Sequence, residues 1–168
     1  MPTGTRYAIA PCSLGWLLVA ATSRGICAID LGDTPEALNE RVRLLDPLAE
    51  PSDDRAITAW LAALVGMIEQ PTQPGQLPLD ISGSPFQRRV WTALQAIPVG
   101  TTRTYASIAA EIGQPTAARA VATACAANRL AIVIPCHRVV RSSGEVSGYR
   151  WGSERKRALL QREAAAVA

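Results

Sequence analysis

The spacing of apolar and polar residues changes character along the chain and divides it into recognisable elements. RYAIAPCSLGWLLVAATSRGICAIDLG alternates short apolar runs with the turn signals PCS, TSRG and LGD, a pattern that predicts two or three antiparallel strands. TPEALNERVRLL predicts a helix, with Thr34 as cap, Pro35 in the first turn and Leu38, Val42 and Leu45 on one stripe. In SDDRAITAWLAALVGMIEQ, residues Ile57, Trp60, Leu61, Leu64, Val65 and Ile68 step by threes and fours behind an acidic first turn, which predicts a second amphipathic helix. PTQPGQLPLD carries too many prolines for either regular structure and reads as a linker.

The second half changes to short helices. SPFQRRVWTALQAIPVG places Ser84, Pro85 and Gln87 in capping-box positions and ends at Pro98 and Gly100, giving a helix of about three turns. TYASIAAEIG follows with Tyr105, Ile108, Ala109 and Ile112 on one side, GQPT breaks it, and AARAVATACAAN begins another helix. Helix, glycine-containing break and alanine-rich helix together suggest a helix-turn-helix, although an ordinary helical hairpin has the same pattern. Ala117, Ala118, Ala120 and Ala124 would leave its second helix thin enough to approach another surface closely. IVIPCHRVV reads as strand on both sides of Pro135, interrupted at the cysteine because proline cannot donate to a central ladder. RSSGEVSGYRWG reads as a loop or small hairpin, and GSERKRALLQREAAA as a closing capped helix.

These elements imply an α+β protein with a first domain over 1–72, a linker over 73–80 and a second domain over 81–168. Its 168 residues suffice for a core in one domain or two small ones. No apolar run approaches the eighteen or so residues needed to span a bilayer. The beginning MPTGTRYAIAPC lacks the features of a secretory leader, so the expectation is a soluble cytoplasmic protein with no membrane partner. Charge sharpens the division. Residues 1–80 carry five arginines against ten acidic side chains, whereas 81–168 carry twelve lysines and arginines against four acids. The net charges are about −5 and +8, an asymmetry that points the second half toward a polyanion unless it is only a solvated surface.

Chemistry enters with Cys136 and His137, which join one of four cysteines to the chain's single histidine. The cysteines are widely spaced with no CxxC pair, so reduced thiols are expected, and one histidine makes a poor zinc site. Neither metal nor cofactor is expected. A bend at Pro135 would let thiol and imidazole line one pocket, where the ring could take the thiol proton and stabilise the attacking thiolate. In the last helix Lys156, Leu159, Leu160 and Glu163 share a face, which makes Glu163 a candidate to orient His137. From residues alone His137 could equally be a packed, hydrogen-bonded ring and Glu163 a solvated carboxylate.

The stretch ATACAANRLAIVIPCHRVVRSSGEVSGYRWGSERKRALLQREA resembles the methylated-DNA–protein-cysteine methyltransferase family, the O6-alkylguanine-DNA alkyltransferases, most nearly its bacterial Ada branch. The likeness extends back through LPLDISGSPFQRRVWTALQAIPVGTTRTYASIAAEIG and, more weakly, into RYAIAPCSLGWLLVAATSRGICAIDLG. It implies a ribonuclease-H-like antiparallel sheet with helices followed by a winged-helix-like DNA-binding half. By the same resemblance Cys136 is the alkyl acceptor, His137 relays its proton through a water and Glu163 completes the relay. Asn128 matches the hinge asparagine, Arg119 the arginine that fills the space of an extruded base, and Tyr105 the tyrosine that crowds the 3′ phosphate. The backbone of Cys136 and Val139, the side chains of Val146 and Tyr149, and the backbone amide of Arg150 would complete the pocket. The implied activity is irreversible transfer from O6-alkylguanine, and from O4-methylthymine, in double-stranded DNA. Minor-groove binding by a monomer, little sequence specificity and one turnover per molecule go with it. The cysteine cluster of the regulatory Ada half is absent from the sequence, so a regulatory role is unsupported unless a separately encoded partner supplies it. A DNA-binding protein without chemistry and a cysteine hydrolase are the competing classes.

Overall fold

The structure is a computed structural model that describes residues 4–72, 75–146 and 148–168. It divides into two compact units, Met1–Ser82 and Gly83–Ala168.

In the first unit the three predicted strands form β1 (Arg6–Cys12), β2 (Gly15–Thr22) and β3 (Gly25–Gly32), an antiparallel meander in which Ile9 pairs with Leu18 and Val19 with Ile29. A two-residue strand, β4 (Glu50–Pro51), adds in parallel to β1, giving the order β3-β2-β1-β4. Successive side chains in a strand point to opposite faces. Tyr7, Leu18, Ala20 and Ala28 therefore form one cluster with Leu38 and Val42 of α1 (Pro35–Leu45). The Tyr7 hydroxyl donates to Asn39 Oδ1 at 2.6 Å, so the ring's polar end is satisfied while its body is buried. Thr34 caps α1 by accepting from the Ala37 amide at 3.1 Å, and Pro35 opens the helix. The third residue of the predicted stripe, Leu45, ends the helix and is 37% exposed. Helix α2 (Arg55–Glu69) buries Ile57, Leu61, Leu64 and Ile68 against β1 and β2. Its expected acidic first turn is instead its cap, since Asp54 stands before the helix and accepts from the Ala56 amide.

Of the expected linker, Gln73 and Pro74 lie outside the described residues. Its last residues are not loose: the Ile26 amide donates to the Pro78 carbonyl and the Asp80 amide to the Ile26 carbonyl, both at 2.8 Å. Gly25 permits this approach, because a Cβ there would lie 2.7 Å from the Pro78 oxygen. Backbone pairing needs no side-chain pattern, so the prolines concealed it.

The second unit begins with α3 (Pro85–Gln95), whose capping box closes in both directions between Ser84 and Gln87. Helices α4 (Tyr105–Glu111) and α5 (Ala118–Ala126) follow as the helix-turn-helix, with Gly113 at φ 79° in the break. Trp91 of α3 packs beneath α5 and donates from Nε1 to the Ala124 carbonyl at 2.9 Å. Ala124 is accordingly buried and is not part of the thin outer surface, whereas Ala120 is exposed. The segment IVIPCHRVV departs most from its predicted form. Residues 131–134 turn instead of extending, Ile132 adopts φ 75°, and Cys136–Arg138 form one turn of 3₁₀ helix. Strand structure appears only after the cysteine, where β6 (Val139–Val140) pairs in parallel with β5 (Arg103–Thr104). The loop expected over RSSGEVSGYRWG is present, with Ser147 outside the described residues. Helix α6 (Ser153–Ala166) closes the unit behind Gly152, which stands at the cap without a side-chain hydrogen bond.

The capping box makes a direct stability prediction. Ser84→Ala should lower the unfolding free energy by about 1 kcal/mol, measured by urea denaturation, by leaving the Gln87 amide without its side-chain acceptor.

Candidate active site

The turn that ends at Cys136 is built by Asn128. This side chain is 1% exposed, and each of its polar atoms is used. Oδ1 accepts from the Leu130 amide at 2.9 Å, while Nδ2 lies 2.9 Å from the Ile134 carbonyl and 3.3 Å from Cys136 Sγ as donor. The Asn128 carbonyl in turn accepts from Arg150 Nη1 at 3.3 Å. A β-branched residue with positive φ is costly, and the strain at Ile132 persists because these bonds fix the chain on both sides of it.

Cys136 and His137 are both buried, at 5% and 0% exposure. Burial pushes the Cys136 thiol up to about 11, against the hydrogen bond from Asn128 and the positive charge of Lys156, which favour the thiolate. The resting sulfur is therefore a protonated thiol, which would have to lose its proton before acting as a nucleophile. His137 Nε2 is 2.8 Å from Glu163 Oε2 of α6. Burial of Glu163 alone would raise its carboxyl; hydrogen bonds from His137 and Arg138 overcome this and bring it down to about 2. Burial holds His137 below its ordinary value, with Arg138 and Lys156 acting in the same direction and Glu163 opposing them. An ionised Glu163 can only accept, so the ring carries its hydrogen on Nε2. Its other nitrogen, Nδ1, is buried with no hydrogen-bond partner among the described residues and keeps a lone pair for a proton.

Tyr149 is packed edge-on to His137, with centroids 6.3 Å apart, and to Trp151 at 5.2 Å. Its hydroxyl is buried without a partner among the described residues, and burial raises its ionisation well above the ordinary tyrosine value. Tyr105 opens α4 half-buried, close enough for Cys125 and Cys136 to raise its own ionisation beyond the effect of burial. Arg119 stands exposed in the first turn of α5. Val139 is buried in β6, and Val146 is partly buried in the loop.

Two models of the 6-O-methylguanine DNA methyltransferase family match consecutive parts of the chain. Its ribonuclease-like domain covers residues 5–81 and its DNA-binding domain 85–165. The bifunctional transcriptional activator and DNA repair enzyme Ada of Escherichia coli is 51% identical over 160 residues, covering 95% of this chain and 45% of its own length. A methylated-DNA–protein-cysteine methyltransferase of Mycolicibacterium paratuberculosis is 46% identical, covering 73% of this chain and 78% of its own. The solved structure of Mycobacterium tuberculosis OGT in complex with DNA is 34% identical, covers 97% of this chain and 94% of that one, and superposes with a TM-score of 0.78. The chain belongs to the methylated-DNA–protein-cysteine methyltransferase family. It spans under half the length of the Ada proteins it matches.

Within the methyltransferase fold, two side chains that the sequence reading left aside are central to the site. Arg138 grips Glu163 from Nε to Oε1 at 2.8 Å and from Nη2 to Oε2 at 2.9 Å, and its Nη1 donates to the Ile97 carbonyl at 2.7 Å. Lys156 is the chain's sole lysine, is 0% exposed and donates to the Val139 carbonyl at 2.7 Å. The signals were present: Lys156 shares the Glu163 stripe, and Arg138 directly follows His137. Arg150, expected to act through its backbone amide, uses its side chain here to donate to the Asn128 carbonyl and to lie over Trp151.

Two outcomes should follow. Asn128→Ala leaves the Leu130 amide without its acceptor and should cost about 1–3 kcal/mol in denaturant unfolding, with slower iodoacetamide labelling of Cys136 at a given pH. Glu163 contributes stability that is complete above its ordinary 4.5 and lost as pH falls toward about 2. The wild-type unfolding free energy should therefore drop across that window, and Glu163→Gln, less stable at pH 7, should show a flatter profile there.

Proposed function

We propose that this chain repairs alkylated DNA by taking the alkyl group of O6-alkylguanine, and of O4-methylthymine, irreversibly onto Cys136, once per molecule. The observation that carries the reading is a buried Cys136 thiol next in sequence to His137, whose imidazole has one nitrogen on the Glu163 carboxylate and the other without a hydrogen-bond partner among the described residues. A basic helix-turn-helix half supports DNA as the partner, and the OGT relative solved with DNA supports it by likeness.

An alkyl group on O6 lies inside the duplex, so the nucleotide must be extruded, at a cost of a few kcal/mol that weakened pairing reduces. Arg119, exposed on α5, would stack its planar guanidinium in the vacated space, and Tyr105 would crowd the 3′ phosphate. The exposed Ala120 beside Arg119 supports close approach to a minor groove. In the pocket the Cys136 S–H bond breaks, and the proton passes to His137 Nδ1, directly or through a water. Sulfur attacks the alkyl carbon in line, the carbon–O6 bond breaks, and the base departs with negative charge on its oxygen. The Arg150 amide would donate to that oxygen, and the backbone of Cys136 and Val139 with the side chains of Val146 and Tyr149 would hold the base. The product is a thioether that no hydrolytic step reopens. The chain would act as a monomer in the cytoplasm, without cofactor and with little sequence preference.

Incubation with one equivalent of duplex containing O6-methylguanine, followed by intact mass, tests this. One methyl group should be gained and no more with excess substrate, and Cys136→Ala should gain none. A wild type that gains none, or a Cys136→Ala that does, would refute it.

A further inference from the structure

We propose that Arg138 is a positioning residue for the transfer: its guanidinium takes up the charge of Glu163, so that the adjacent imidazole stays neutral with Nδ1 ready for the Cys136 proton. The proposal rests on the reading of the site as an alkyl-transfer centre. Glu163 Oε2 accepts from both His137 Nε2 and Arg138 Nη2, while Oε1 takes the other arm of the fork. A carboxylate facing an imidazole alone favours an imidazolium, because a buried charge is stable only when paired. Here the pairing is already made by an arginine that is itself only 12% exposed and anchored at its far end on the Ile97 carbonyl. The charged and titratable groups around His137 are Glu163 and Lys156 from α6, Arg138 and Cys136 on its own turn, and Tyr149 from the following loop. Protonating the ring at rest would place a third cation beside Arg138 and Lys156 against one carboxylate. During transfer the same proton arrives together with a thiolate that balances it, so the ring accepts it only when sulfur gives it up.

Geometry assigns the fork a second consequence. Two parallel bonds fix the plane of the Glu163 carboxylate, and a fixed carboxylate fixes the ring that donates to it. Lysine at 138 would keep the charge but could not hold both oxygens.

Because His137 is the chain's one histidine, its ring nitrogens give unambiguous ¹⁵N signals. In the wild type at pH 7 they should report a neutral ring protonated on Nε2. Arg138→Gln should raise the ring's titration by at least one pH unit, with Arg138→Lys in between. Methyl transfer by Arg138→Gln should be at least tenfold slower than wild type at pH 6 and recover to within about threefold at pH 8. A merely structural role would slow both pH values alike. Folded variants whose ring titrates with the wild type, or whose transfer is slowed equally throughout, would overturn the proposal. If Arg138→Gln does not fold, the comparison of Arg138→Lys with wild type decides it. A wild type that transfers no methyl group defeats the alkyl-transfer reading instead, and the ring signals still judge the arginine.

Discussion

The second unit is organised around one buried carboxylate. Glu163 sits near the end of α6 at 4% exposure, where an ionised side chain survives only if every lone pair is engaged. His137 and Arg138, neighbours in one turn of 3₁₀ helix, both reach it. The bonds therefore pin the turn that carries Cys136 to the last helix, and through Arg138 to Ile97 just beyond α3. Removing Glu163 would strand two side chains on separate hydrogen-bonding obligations. The three elements would lose their common reference at once.

The path of the chain into Cys136 is set by a different constraint. Between α5 and Cys136 the chain must reverse tightly, and it does so without glycine, through an isoleucine at positive φ. Asn128 makes this possible by substituting its amide for backbone partners on both sides of the turn. Its donation to Sγ then comes at no further structural cost, since the amide is already oriented. A stiff reversal and a sulfur held at a fixed angle are thus the same device.

Much of this was visible in the residues. Thr34, Ser84 and the heptad-like apolar steps of α2 specify local structure by direct physical rules, and those elements formed as expected. Pairing Glu163 with His137 was legible because a carboxylate on an apolar stripe must find a partner. The turn at 131–134 was not legible, because Ile-Val-Ile favours strand locally and the hydrogen bonds that override it come from a side chain three to six residues earlier. Pro78–Asp80 was missed for a related reason, its pairing being made by backbone alone. Lys156 stands on the Glu163 stripe, but no pattern assigns it or Arg138 a partner, since charged residues in a basic half read as surface; only the fold reveals which of them turn inward.

The burial of Lys156 has a practical side. The cationic side chains of this chain other than Lys156 are all guanidinium groups, and its one side-chain amine is sealed against the Val139 carbonyl. Reagents that acylate amines would find no lysine target on the folded protein. Acylation at that position would register the moments when the second unit opens, making it a native gauge of local unfolding that no engineered label is needed to install.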